Sequence, residues 1–301
     1  MSGDARRMPP WLRVKVPGGG AHGRILARRK ARGLATVCEE ALCPNRAECW
    51  ECGTATFMVM GATCTRGCRF CAVSSGAAGQ PLDPDEPAKL ADTVAELQLR
   101  YAVITSVTRD DLPDGGAAHI AACVGALCAR VDGLRVEVLI PDMGGERESL
   151  ATVAAAGPVV LGHNIEVVER LTPTIRHPRA NYRRSLDVLS TFRALAGEHQ
   201  LVKSSLLVGL GETDEEVEEA LADLVEAGCQ MVAIGQYLRP SRRHHPVVEY
   251  REPAWFDELG RRARRMGFGH VAAGPLVRSS YRASELYVEG WVTNRPSQAL
   301  P

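Results

Sequence analysis

Cys64-Thr65-Arg66-Gly67-Cys68-Arg69-Phe70-Cys71 is the stretch around which the chain is organised. Its three thiols are separated by three and then two residues. That spacing lets a single loop reach three corners of one cubane iron–sulfur cluster. A 4Fe-4S cluster held by three thiolates leaves one iron open to a small ligand. Clusters that only store electrons are normally closed by four thiolates, so the pattern points to chemistry at the iron. A second triad lies just upstream, Cys38, Cys43 and Cys49, spaced by four and five residues, with Cys52 between the two triads.

Zinc fits this arrangement poorly. Zinc sites pair Cys-x2-Cys or Cys/His halves across a longer spacer, and no histidine occurs between His22 and His119. Disulfides are disfavoured as well. No signal peptide is read ahead of the cysteines, and thiols this crowded would be redox-labile in a cytosol.

The 301 residues suffice for one large domain with a full core. Apolar residues make up 45% and charged residues 24%, and the formal net charge is zero. No global field therefore points to nucleic acid or a membrane, and no apolar run approaches spanning length. Residues 1–37 are the exception, with nine Lys or Arg against one acid, Asp4. A transit peptide would be richer in serine; prolines and glycines suggest an extended basic arm instead, read either as a dock for an acidic carrier domain or as a solvated tail that packs near the cluster. A cytoplasmic location is expected.

Beyond the cysteines, short apolar runs alternate with helical patterns. Thr56–Gly61, Tyr101–Val107, Leu134–Ile140, Val159–Ile165, Leu201–Gly209 and Met231–Tyr237 read as strands covered on both faces. Asp83-Pro84-Asp85-Glu86 reads as a helix start, with Asp83 as N-cap. Thr213-Asp214-Glu215-Glu216 is a capping box ahead of a helix stopped by Gly228. A helix over 183–196 ends at Gly197. Six βα units in series imply an α/β fold with a parallel sheet and right-handed crossovers. Six are too few for the closed eight-fold barrel. The expectation is a partial (βα)6, TIM-like barrel over 56–266, with an N-terminal cluster-binding extension (1–55) and a C-terminal extension (267–301).

Functional loops of such folds gather at the C-terminal ends of the strands. Polar or glycine-rich tips recur there: Arg109-Asp110-Asp111, His163-Asn164-Ile165-Glu166 and Gly209-Leu210-Gly211-Glu212. Together they suggest a ligand pocket. Asp110, Asn164, Glu166, Gly209 and Gly211 are its candidate contacts, and Phe70 is placed to stack on an adenine. Cys123, Cys128 and Cys229 read as core.

The two triads, Gly53-Thr54-Ala55-Thr56-Phe57-Met58, Arg109-Asp110-Asp111-Leu112, Gly162-His163-Asn164, Gly209-Leu210-Gly211-Glu212-Thr213, Gly235-Gln236-Tyr237-Leu238 and Arg278-Ser279-Ser280-Tyr281 closely resemble the lipoyl synthase family of radical S-adenosylmethionine enzymes. The resemblance spans about residues 36 to 290. It implies that Cys64, Cys68 and Cys71 hold the 4Fe-4S cluster that reductively cleaves S-adenosylmethionine to a 5′-deoxyadenosyl radical. Cys38, Cys43 and Cys49 would hold a second 4Fe-4S cluster, closed by a serine of the tail and sacrificed as sulfur donor. The sequence alone does not choose between Ser279 and Ser280; the resemblance favours Ser280.

The implied reaction inserts sulfur at C6 and C8 of an octanoyl-lysine. Implied partners are octanoylated lipoyl carrier domains (the E2 subunit of 2-oxoacid dehydrogenases, the glycine cleavage H protein), a ferredoxin or flavodoxin as electron donor, and an iron–sulfur carrier protein. Thr108, Ala72 and Ser205 depart from the family pattern. Two other readings compete: a radical sulfur inserter acting on a different aliphatic substrate, which leaves the Arg-Ser-Ser-Tyr tail unexplained, and a non-enzymatic iron–sulfur carrier, which would produce no 5′-deoxyadenosine.

Overall fold

The expected strands are rich in Val, Ile, Leu and Ala, and most of their length is buried even where a charged residue such as Glu137 or Lys203 interrupts the run. Such strands need cover on both faces, which a parallel sheet wrapped by helices provides. The computed structural model describes residues 8–13, 35–36, 45, 49, 54–281 and 283. One eight-stranded sheet dominates, in the order β1 (Ala35–Thr36), β2 (Thr54–Val59), β5 (Tyr101–Ser106), β6 (Arg135–Leu139), β7 (Val160–Gly162), β8 (Leu201–Val208), β9 (Met231–Gln236) and β10 (His270–Gly274). All neighbours are parallel except β1, which runs antiparallel to β2 at one edge. A two-stranded ribbon, β3 (Thr63–Cys64) with β4 (Ser74–Ser75), brackets the cysteine loop. Sequential parallel order with an unpaired pair of edges among the described residues is an open barrel, as expected.

The sheet nevertheless has seven parallel strands, not six. The unpredicted one, His270–Gly274, follows helix α7 (Pro253–Met266) and pairs with β9 residue by residue. Its sequence, His-Val-Ala-Ala-Gly, is small and only partly buried, so its apolar signal is weak. The strand expected at Val159–Ile165 shrinks to Val160–Gly162, and the chain pairs with β8 again only at an isolated bridge, Glu166 with Leu206, where Glu166 has φ +66.

The helices between the strands are α1 (Glu86–Glu96), α2 (Ala117–Arg130), α3 (Arg147–Ala155), α4 (Thr172–Ile175), α5 (Tyr182–Leu195) and α6 (Asp214–Glu226). The capping box at α6 is present, with Glu216 N donating to Thr213 Oγ1 at 3.3 Å and Thr213 N to Glu216 Oε2 at 2.8 Å. Gly228 follows at φ +83. At α1 the N-cap is Asp85 rather than Asp83, and Pro87 rather than Pro84 stands in the first turn; Asp83 instead closes a turn by accepting from Asp85 N. α5 starts on an unforeseen cap, Asn181, whose side chain accepts from Arg184 N at 3.0 Å. Gly197 is not the stop, since α5 ends on extended Ala196. Cys123 and Cys229 are core, as read, but Cys128 is exposed on the outer face of α2.

Two apolar layers result. The larger lies between sheet and helices. The smaller lies inside the barrel, where Tyr101, Val103, Val160, Leu201 and Met231 meet Ala283 from the C-terminal stretch. Next to it a buried ion pair crosses the barrel: Lys203 Nζ to Glu137 Oε1 at 2.7 Å, both 1% exposed, with Tyr101 Oη donating to Glu137 Oε2 at 2.8 Å. Removing one partner of such a pair strands a buried charge, which costs about 3–5 kcal/mol, whereas replacing both with apolar groups is often close to neutral. Glu137→Gln should therefore destabilise the chain by roughly 3 kcal/mol, and the double variant Glu137→Leu/Lys203→Met should recover most of it. Urea unfolding of the two variants checks this; equal losses would show that the pair acts through packing alone.

Candidate active site

The cysteine loop starts at the end of β3 and is fastened to three neighbouring loops. Thr65 N and Thr65 Oγ1 both donate to Thr108 O, at 2.9 and 3.0 Å, and Asp110 N donates back to Thr65 Oγ1 at 3.0 Å. Arg66, buried, grips two carboxylates with its guanidinium: Asp110 at 2.8 and 2.9 Å, and Asp142, at the end of β6, at 2.8 Å through two nitrogens. Arg69 N donates to Ile175 O at 2.8 Å. His244 Nε2 donates to Cys71 O at 2.9 Å.

So held, Cys64, Cys68 and Cys71 line one cavity of about 620 Å³ at the C-terminal ends of the strands. Each sulfur meets a backbone N–H. Arg66 N donates to Cys64 Sγ at 3.4 Å and His177 N to Cys68 Sγ at 3.3 Å, and Val73 supplies the third to Cys71. Burial pushes the Cys71 thiol up to about 12 and raises Cys68 as well. That burial disfavours free thiolates at Cys68 and Cys71, whereas a coordinating metal deprotonates a thiol outright. Three sulfurs from one loop, each receiving an N–H, suit an iron–sulfur cluster, whose sulfurs are tuned by such bonds.

Thr56, Met58, Leu139, Ile140 and Leu207 supply the apolar side of the same cavity, and buried Leu12 reaches it from the N-terminal segment. Phe70, Asn164 and Glu166 line it too. Asn164 Nδ2 donates to Glu166 Oε1 at 3.1 Å, and burial holds the Glu166 carboxyl above the usual range against the pull of Arg176.

Cys49 is the one member of the upstream triad among the described residues; Cys38 and Cys43, with Cys52 and most of the basic arm, lie outside them. Cys49 faces the cavity, and so do Ser279 and Ser280. The tail carrying the serines is pinned at three points. Asn45 Nδ2 donates to Leu276 O at 2.5 Å, Ser279 Oγ donates to Asn164 Oδ1 at 3.2 Å, and Val277 O packs onto Gly235, where an added Cβ would lie 2.0 Å from it. The tail thus spans from the upstream cysteine region to the Asn164–Glu166 pair.

Three expected contacts are not brought into the cavity wall. Asp110 is spent on Arg66 and Arg179, and its hydrogen bond from Arg66 holds its carboxyl below the usual range. Gly209 and Gly211 form a closed turn instead. Glu212 accepts from Gly209 N at 2.5 Å and Leu210 N at 2.9 Å, and Gly209, at φ +92, leaves no room for a Cβ beside Gln236 and the Glu249 carbonyl. Arg66, Asp142 and His244 were missed. The available signal was a charged residue locked between two cysteines, which has to find counter-charge wherever the loop is buried.

A family model for the radical SAM superfamily matches residues 58–224. Over nearly the whole chain the sequence is 53% identical to a lipoyl synthase of Methanocella arvoryzae, covering 93% of this chain and 94% of that one. The chain belongs to the lipoyl synthase family. An Anaeromyxobacter lipoyl synthase is 51% identical over 96% of this chain and 98% of its own, and a mitochondrial one from Branchiostoma floridae 47% over 99% and 80%. Among solved structures, the FeFe-hydrogenase maturase HydG from Carboxydothermus hydrogenoformans (TM-score 0.56, 13% identity, 78% of this chain and 56% of that one) and methylornithine synthase (0.52, 14%, 79% and 65%) share the fold. A lipoyl synthase of this superfamily uses S-adenosylmethionine with a 4Fe-4S cluster, for which the Cys64–Cys71 loop has the donors.

Gly235→Ala should displace the tail, because its new methyl meets a backbone carbonyl rather than a flexible side chain. Amide exchange over 276–281 should speed up by about tenfold or more, as expected when a local opening becomes easier by over 1 kcal/mol. Unchanged protection there would show that the tail is held by its other two pins.

Proposed function

We infer that the chain is a lipoyl synthase, a sulfurtransferase that inserts sulfur at C6 and C8 of an octanoyl-lysine on a lipoyl carrier domain. The observation that supports this best is the shared cavity: the Cys64–Cys71 loop, Cys49 and the two tail serines line one chamber. The octanoyl C–H bonds have no useful acidity, so general acid–base catalysis cannot activate them. When bound, a cluster on Cys64, Cys68 and Cys71 would supply the electron that cleaves S-adenosylmethionine, and one on Cys38, Cys43, Cys49 and Ser280 would supply the sulfur.

The protein's own share is orientation and exclusion of water. Asn164 and Glu166 present a donor–acceptor pair to the co-substrate, and Phe70, on the same cavity wall, is the ring that would stack on its adenine. The apolar wall takes the acyl chain. Ser280 would be the hard oxygen donor that closes the second cluster, binding iron more weakly than a thiolate would. Ser279, already bonded to Asn164, is less available for that role. We assign the substrate to E2 subunits and the glycine cleavage H protein, the electrons to a ferredoxin or flavodoxin, cluster renewal to an iron–sulfur carrier protein, and the location to the cytoplasm. No described helix is long and apolar enough to cross a membrane.

Anaerobic incubation with reductant, S-adenosylmethionine and an octanoylated lipoyl domain tests the reading by mass spectrometry. The expected product carries two added sulfurs. An iron–sulfur carrier would produce no 5′-deoxyadenosine, and an inserter for another substrate would produce it without modifying the domain. Cys68→Ala should abolish 5′-deoxyadenosine, while Cys43→Ala should still form it but insert no sulfur; equal loss of cleavage in both folded variants would refute this division of labour. Ser280→Ala should likewise cleave without making lipoyl product, and Ser280→Cys should retain more iron but release sulfur poorly. Full product from Ser280→Ala with none from Ser279→Ala would move the ligand one residue back.

A further inference from the structure

The segment Arg239-Pro240-Ser241-Arg242-Arg243-His244-His245 follows β9 and carries three arginines and no acid. It is not a loose loop. Tyr237 Oη donates to His245 O at 2.8 Å, and His245 N donates to Arg69 O at 2.8 Å. His244 Nε2 donates to Cys71 O, which leaves its Nδ1 as the acceptor for Ser241 Oγ at 2.8 Å. The segment is therefore clamped onto the cysteine loop at Arg69 and Cys71, beside the cavity that Arg239 and Pro240 help to line.

Arg69, Arg239, Arg242 and Arg243 are all exposed on this lip. Arg69 and Arg239 donate to backbone carbonyls, those of Thr174, His244 and Arg242. None of the four meets a carboxylate among the described residues. Elsewhere on the surface Arg170, Arg183, Arg261 and Arg262 each sit on a glutamate, whereas on the lip four guanidinium groups without such a partner stand together. Four uncompensated guanidinium groups on a rigid ridge keep a local positive potential in a chain with no net charge. Fixed charge at the rim of a site acts mainly on the association rate and on salt dependence.

We propose that this lip docks the protein surface that delivers the octanoyl-lysine, by pairing with carboxylates flanking that lysine. The proposal rests on the lipoyl synthase reading and adds the recognition element that it lacks. A lysine side chain with its acyl group can extend into the cavity, but the backbone that bears it stays at the rim. Residues next to the lysine therefore face the lip. Planar guanidinium groups match carboxylates in paired hydrogen bonds, so the complementary surface is acidic.

The test compares wild type with Arg242→Glu/Arg243→Glu, two positions outside the cavity wall, on two substrates: a whole octanoylated acidic carrier domain, and a short neutral octanoyl-lysine peptide. The variant should raise KM for the domain about tenfold at low salt and flatten its salt dependence. KM and kcat for the peptide should stay within about twofold of wild type, and Arg242→Lys/Arg243→Lys should keep the salt dependence of the domain's KM, because charge is retained, but only part of its value, because an ammonium lacks the paired bonds of a guanidinium. An unchanged KM and salt slope on the domain would overturn the proposal. So would equal losses on both substrates, which would mark the lip as structural. Direct binding of the octanoylated domain to wild type and to the Glu variant, read by fluorescence anisotropy, decides the point even if neither protein forms lipoyl product. Weaker binding by the variant would then support docking while the sulfur-insertion reading alone fails.

Discussion

The grip of Arg66 on Asp110 and Asp142 is the constraint on which the site depends. A loop carrying three cysteines has little apolar surface with which to hold its own shape, and here it must stand over the open end of a barrel. The guanidinium joins it to the tips of two successive strands, β5 and β6, through both carboxylates. Burial makes the arrangement all-or-none: an unpaired guanidinium or carboxylate there would be costly, so loop and strand tips can only be seated together. Thr65 and His244 add neutral bonds at either end, so the loop's position is over-determined.

That placement makes the remaining geometry useful. Because the cysteine loop is seated over the strand ends, the backbone N–H of His177 falls on Cys68 Sγ, while Arg66 N serves Cys64 Sγ from within the loop. The same seating leaves room for a second set of donors. The tail enters the cavity after β10, the extra parallel strand, and its serines line the same chamber as the loop. Without that strand the chain would leave the sheet at α7 and the tail would have no fixed point of departure. The Ser279–Asn164 hydrogen bond then joins the tail to the Asn164–Glu166 pair on the cavity wall.

Much of this was legible in the chain. Cysteine spacing, which depends only on how far a short loop reaches, marked the three thiols that the fold brings to one cavity wall. Apolar runs buried on both faces marked six of the seven parallel strands. The seventh was hidden by its alanines and glycine, whose burial is small. Thr213's cap was readable because both partners lie within one helical turn. Asp85's was not, because two aspartates compete there and only the turn geometry selects one.

What the sequence by itself determined was chemistry and class: which residues can hold iron, a parallel α/β sheet, and a family pattern spread over nearly the whole chain. Tertiary structure decided which polar tips face the cavity. Asp110 and the Gly209–Glu212 turn share the residue types of true ligand loops, but Arg66 and Glu212 consume their hydrogen-bonding capacity. For the glycine turn the competing acceptor, Glu212, lies within the motif itself, but for Asp110 the partner is 44 residues away, and local pattern carries no information about it.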